Sequence, residues 1–213
     1  MIAQPHLRNM TNQGQSGFKC LAPRQADRLL KTCRKRAEAD LWSGRKTWIT
    51  RCLLVHLALA SGLRVSEMAA LKNKDLFLAD THPNIRVRHE RKSRSVYLGR
   101  NITDHIHKYQ DWKRRSWRRD IDGDDFVFES PHGGPFSTGA LAYSFKRALE
   151  TMGLDGKYTI HSARHSYATY LLARTSDLQF VMNQMGHSNT SVTSLYVGLL
   201  PPEDSNGIEE FLD

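Results

Sequence analysis

At 213 residues, with 39% hydrophobic and 25% charged residues, the chain has the composition of a soluble globular protein able to bury one core. No stretch reaches the roughly 20 apolar residues of a membrane-spanning helix, and Met1–Ser16 lacks the apolar run of a secretory signal. Lys and Arg number 31 against 22 Asp and Glu, and this surplus of +9 favours a polyanionic partner, because each neutralised phosphate releases counterions. The three cysteines, Cys20, Cys33 and Cys52, form no CxxC pair, which argues against a disulfide framework or a zinc site and fits a reducing, cytoplasmic setting.

Residues 1–18, rich in Gln, Asn, Gly and Ser, read as a flexible tail or linker remnant. From Ala22, the positions Pro23, Ala26, Leu29, Leu30 and Cys33 predict an amphipathic helix. Trp48–Ser61 is apolar on several faces and predicts a core helix, interrupted by Gly62 and followed by a short helix over Val65–Leu71. Asn84–Val87 and Ser95–Leu98 predict two strands joined by a polar turn from Arg88 to Arg94. Asp104–Arg119 predicts a very basic helix, and Phe126–Phe128 a short strand ended by Pro131, Gly133, Gly134 and Pro135. Helices are expected over Thr138–Met152, His161–Arg174, Asp177–Met185 and Thr190–Leu199. The fold class is therefore mainly α (α+β): one helix-dominated domain with a small antiparallel sheet.

Cleavage of a phosphodiester by a protein nucleophile needs a nucleophilic oxygen, fixed cations on the non-bridging oxygens, and an acid for the leaving 5′-oxygen. Arginine suits the cationic task because its planar fork gives two hydrogen bonds to phosphate and stays charged. Three segments hold such residues. In Ala60-Ser-Gly-Leu-Arg-Val-Ser-Glu-Met68, Gly62 breaks the core helix so that Arg64 can face a cleft, with Glu67 placed to orient it. In Thr159-Ile-His-Ser-Ala-Arg-His-Ser-Tyr-Ala-Thr169, His161 and Arg164 share one face at a helix start, where phosphate is also favoured. In Gln184-Met-Gly-His-Ser-Asn-Thr-Ser-Val-Thr-Ser-Leu-Tyr196, His187 follows a helix-ending glycine and Tyr196 lies on the next helix. Each segment alone reads equally as ordinary helix punctuation.

The three together, in this order, resemble the boxes of the tyrosine recombinases, or phage integrase family: TGLRxSEL, HxLRHxxAT with Ala163 replacing leucine, and LGHxxxxxTxxY with Met185 replacing leucine. The resemblance spans about Cys20 to Leu199 and implies a catalytic domain over residues 19–200. By position it implies Arg64 and Arg164 as a clamp on the scissile phosphate, His161 and His187 for hydrogen bonding and proton transfer, Tyr196 as nucleophile, and Glu67 as support behind them. Such enzymes also carry a hairpin lysine as general acid. Here the hairpin reads Arg86-Val-Arg-His-Glu-Arg-Lys-Ser-Arg-Ser-Val-Tyr-Leu98 and departs from the pattern GKGxKxRxVPL. His89 stands at the place of the first lysine. Either the turn is shortened and Lys92, the only lysine in the hairpin, takes the role, or His89 or Arg91 does.

The implied activity is site-specific recombination through a 3′-phosphotyrosyl intermediate, with double-stranded DNA as partner, a homo-tetramer on two DNA sites, and no cofactor, metal or small-molecule substrate. The alternatives are a recombinase-like DNA-binding protein that does not cut, and a relaxing enzyme of the type IB topoisomerase kind. Lys113, Arg114, Arg115, Arg118 and Arg119 interleave with Trp112 and Trp117 and are candidates to lie along a DNA backbone; the competing reading is a packed amphipathic helix with solvated charges. His105 and His107 read as surface residues rather than metal ligands. Ile208, Phe211 and Leu212 need burial, so residues 201–213 are expected to dock on a neighbouring subunit.

Overall fold

The computed structural model describes residues 19–89, 92–130 and 133–186. Helix α1 (Pro23–Ser43) begins with proline at its first position, where a missing N–H costs nothing. Its Ala22 N–H is capped by the Gln25 side chain at 2.9 Å, and Gly44 ends it with φ 70°. Ala26, Leu29, Leu30 and Cys33 form its buried stripe, as their spacing predicts. Helix α2 (Thr47–Ser61) is buried from Cys52 through Ser61 on every face, because α1, α4, α5 and α6 surround it.

A three-stranded antiparallel sheet lies beside the helices in the order β1 (Leu76–Phe77), β2 (Asn84–His89), β3 (Lys92–Tyr97). Ile85, Val87 and Val96 face the core, alternating with exposed Arg86, Arg88, Ser95 and Tyr97. The strands run further into the hairpin than expected. His89 pairs with Lys92, so the ladder runs past the expected strand ends at Val87 and Ser95 and Lys92 opens β3. β1 has no counterpart in the sequence reading, since two residues are too few for a periodic signal. Phe126 makes only an isolated bridge to Lys72, so the expected strand at 126–128 is a fragment.

Helix α4 (Arg100–Trp117) starts four residues before the expected Asp104. Ser137 caps α5 (Thr138–Glu150) by accepting from the Ala140 N–H at 3.1 Å. Helix α6 (Ile160–Thr175) is pinned to the segment before α1: the Leu21 N–H donates to the Ser166 hydroxyl at 2.9 Å, and the Tyr170 hydroxyl donates to the Leu21 carbonyl. Asp177 caps α7 (Leu178–Met185), and Tyr167, Leu171, Leu172, Val181 and Met185 seal α6 against α7. The expected helix at Thr190–Leu199 lies outside the described residues. No described helix is long and apolar enough to cross a membrane.

His105 corrects the surface reading. Its Nδ1 lies 2.9 Å from Nδ1 of the fully buried His56, so one ring donates and the other accepts. α4 turns His105 toward α2 because Ile102, Thr103, Ile106 and Tyr109 fix the buried side of the helix. Burial holds His56 well below the ordinary histidine range, and burial with nearby Arg34 and Lys108 lowers His105 to about 4. The unfolded chain therefore takes up protons below about pH 6.5 that the native chain refuses. The pair's contribution is complete above that pH and is lost progressively as pH falls toward 4. Urea unfolding between pH 7 and 4 is expected to lose on the order of 2–3 kcal/mol more in the unsubstituted chain than in His105→Gln. An identical pH slope in the two proteins refutes this assignment.

Candidate active site

Gly62 sets the geometry. It ends α2 in the left-handed region with φ 61°, and an added Cβ would lie 2.4 Å from the Tyr167 ring and 2.7 Å from Met185 Sδ. Only a bare backbone therefore lets the chain turn there against α6 and α7. Two residues later Arg64 caps α3 (Val65–Ala70), and Glu67 in the first turn folds back on it. Glu67 Oε2 accepts the Arg64 N–H at 2.7 Å, and Oε1 accepts Arg64 Nη1 at 3.1 Å.

Two more guanidinium groups converge on the same carboxylate. Arg94 of β3 donates from Nη1 and Nη2 to the two Glu67 oxygens at 2.8 and 2.9 Å, a bidentate pair. Arg164 of α6 has Nη1 at 4.0 Å from Glu67 Oε2. It also donates from Nη1 to the Gly62 carbonyl and from Nη2 to the Met185 carbonyl at 2.6 Å. Arg64 Nη2 reaches the Gly186 carbonyl at 3.4 Å. Four elements thus meet: the α2–α3 turn, β3, the N-terminal part of α6 and the end of α7.

Three positive charges surround one negative charge, and their exposure differs. The Arg64 side chain is 42% exposed, while Glu67 and Arg164 are 9% exposed. Burial alone would raise the Glu67 carboxyl. The hydrogen bonds from Arg94 and the Arg64 backbone, with the charges of Arg94 and Arg164, outweigh it and hold the group below its usual range. Glu67 is therefore ionised at neutral pH and fixes the guanidinium groups in place. Three guanidinium groups gathered at one carboxylate among the described residues are the electrostatic pattern of an oxyanion or phosphate site.

His161 is exposed on the first turn of α6, three residues before Arg164, as the spacing predicts. The adjacent His165 is half-buried. Burial, with Arg164 and His161 beside it, lowers it to about 4 and leaves it neutral at neutral pH. Lys92 opens β3, two residues before Arg94. His187 and Tyr196 lie outside the described residues. Arg94 was missed as a functional residue. Its sequence signal is its match to the arginine of the hairpin pattern GKGxKxRxVPL, but a strand arginine is ordinarily solvated and no role was assigned to it.

The basic run on α4 divides. Lys113 is 2% exposed, donates to the Phe126 carbonyl at 2.7 Å and pairs with Glu129 at 2.9 Å. This corrects its assignment as a DNA-backbone contact: it shares the inward face of α4 with Tyr109 and is consumed by the loop it anchors. Arg114, Arg115, Arg118 and Arg119 are exposed. Arg114 pairs with Asp111, and Arg119 with Asp125 and Glu129, so part of their charge is already balanced.

A family model described as the phage integrase family matches residues 19–201. The tyrosine recombinase XerD of Listeria monocytogenes is 32% identical over 145 residues, which cover 67% of this chain and 48% of that protein. The chain thus spans about half the length of the curated relatives it matches. Among solved structures, XerA recombinase superposes with a TM-score of 0.68 at 25% identity, covering 83% of this chain and 59% of that one. XerH site-specific recombinase bound to palindromic difH substrate, in a post-cleavage complex, superposes with a TM-score of 0.71 at 22% identity. It covers 91% of this chain and 54% of that one and shares the fold.

Proposed function

The chain belongs to the phage integrase family, and from that membership we propose that it is a site-specific recombinase that cleaves and rejoins DNA through a 3′-phosphotyrosyl intermediate. The observation that carries this reading is the convergence of Arg64 and Arg164 at the Glu67 carboxylate, which Arg94 holds in place, with His161 about one helical turn before Arg164 at the start of α6. Such a cluster holds fixed charge for a phosphate without needing to reorganise during reaction.

The Tyr196 phenol oxygen attacks the phosphorus and the bond to the 5′-oxygen breaks. Arg64 and Arg164 bind the non-bridging oxygens. His161 and His187 hydrogen-bond to phosphate and take part in moving the phenol proton. Lys92 delivers a proton to the leaving 5′-oxygen. The hydroxyl of a partner strand then attacks the phosphotyrosine, restoring the DNA and releasing Tyr196. Because the cations are guanidinium groups, the reaction is expected to proceed in chelator. The test is a nicked suicide duplex, drawn from a pool of the source element's DNA and incubated with chelator. A covalent protein–DNA species is expected, and its absence on DNA that the chain binds sinks the cleavage reading in favour of a non-cutting DNA-binding protein.

The partner is double-stranded DNA, engaged by a homo-tetramer on two sites, in the cytoplasm. Residues 19–200 act as the catalytic domain, residues 1–18 as a tail or linker, and residues 201–213 dock on a neighbouring subunit. A cavity of about 870 Å³ between α2, α4 and α5 supports that docking. Its lining includes Leu54, Trp112, Phe136 and Leu141 together with Lys46 and Arg51, matching the apolar Ile208, Phe211 and Leu212 and the acidic Glu209 and Glu210. Deleting residues 203–213 is expected to weaken assembly on DNA roughly tenfold or more, one lost apolar anchor being worth about 1.5–3 kcal/mol. Native-gel titration measures this, and unchanged assembly refutes the docking.

A further inference from the structure

We propose that Arg94 is a positioning residue for protonation of the leaving group: it anchors the strand carrying Lys92 to the phosphate-binding arginines. The inference rests on the reading of Lys92 as the general acid.

Arg94 sits at the junction of three elements. Its two Nη atoms grip Glu67, and its Nε donates to the Gln184 carbonyl at 3.0 Å, near the end of α7. Gln184 answers from the other side, its Oε1 accepting the Tyr97 N–H at 3.1 Å. β3 is thus tied to α7 at two points, three residues apart. The guanidinium lies so close to the helix end that a Cβ on Gly186 would stand 2.9 Å from Arg94 Cζ and Nη1. Glycine at that position therefore serves the fit of Arg94 as well as the helix stop, at φ 63°.

The lever arm is short. Lys92 and Arg94 are two residues apart in one strand, so the positions fall on the same face with α-carbons about 7 Å apart. Val87, the partner of Arg94 across the ladder, is the last buried apolar residue of β2. Beyond it toward the turn come only the pairs Arg88–Ser93 and His89–Lys92. Arg94 is therefore where the hairpin's apolar seat ends and its polar attachment to the site begins. The carboxylate that orients Arg64 also holds β3, so phosphate clamp and proton donor share one reference point.

The experiment compares two nicked suicide duplexes that differ in one atom, the 5′-bridging oxygen or a sulfur in its place. Sulfur leaves as a thiolate and needs no proton. Arg94→Ala is expected to form adduct about 100-fold more slowly on the oxygen duplex, the scale of a 1 Å misplacement. On the sulfur duplex it is expected to come within several-fold of the unsubstituted chain, with DNA affinity unchanged on both. Arg94→Lys keeps one charge and is expected to show a smaller oxygen defect with the same rescue. It carries the test if thermal unfolding shows that the alanine variant is not folded. Equal slowing on both duplexes overturns the proposal, because the defect then lies in phosphate binding or in the tyrosine segment. If the unsubstituted chain forms adduct on neither duplex, the cleavage reading itself has failed and this inference falls with it.

Discussion

Tyr196→Phe is expected to bind DNA as the unsubstituted chain does and to form no covalent adduct. The substitution removes one oxygen, the only atom of this chain proposed to bond to phosphorus, and leaves Arg64, Arg164 and His161 unchanged. Binding to phosphates rests on those cations, so affinity and its salt dependence should stay the same. The loss in covalent species should be complete within detection, because no neighbouring group takes over a missing nucleophile in a site built to aim one. Denaturing gels of suicide duplexes with chelator measure it, and mass spectrometry of the unsubstituted adduct should place the nucleotide on Tyr196. An adduct that persists in Tyr196→Phe overturns the assignment of the nucleophile. One that forms only with added divalent metal overturns the arginine-based mechanism.

Glu67→Ala is the second large effect, and it should appear in stability and rate together. The carboxylate is 9% exposed and makes a bidentate pair with Arg94, a further pair with Arg64, and a 4.0 Å approach to Arg164. Removing it takes away the carboxylate that the part-buried Arg94 grips with both Nη atoms, a loss on the order of 3 kcal/mol. It also frees Arg64 and β3 to move, which by the cost of misplacement slows cleavage about 100-fold. Glu67→Gln keeps acceptor geometry on one atom and loses the charge, so its loss of stability should be smaller. Because the Glu67 carboxyl titrates below its usual range, its stabilising share is full above the unfolded carboxylate range and is lost as pH falls through the lowered folded value. Urea midpoints and adduct rates measured on the same preparations check both effects. A stable Glu67→Ala with unaltered rate would remove Glu67 from the account.

The helices and their buried stripes were legible because helix periodicity and stop signals act locally. Ala26, Leu29, Leu30 and Cys33, or Gly62 and Gly186 as stops, need no distant partner to be read. The family, too, was written in the chain, since the order of three short boxes is a linear property. The convergence of Arg64, Glu67 and Arg164 followed from those boxes. The inclusion of Arg94 did not, because it depends on how a hairpin packs across the end of α7, 90 residues further along. The same limit explains Lys113 and His105. A basic run and a helical histidine look solvated in sequence, and whether each turns outward is decided by the side of α4 that the rest of the core selects. Local pattern determined which elements form and which chemistry they carry. Long-range packing decided which charges meet, because a guanidinium group is placed by the carboxylate and carbonyls it reaches rather than by its neighbours in the chain.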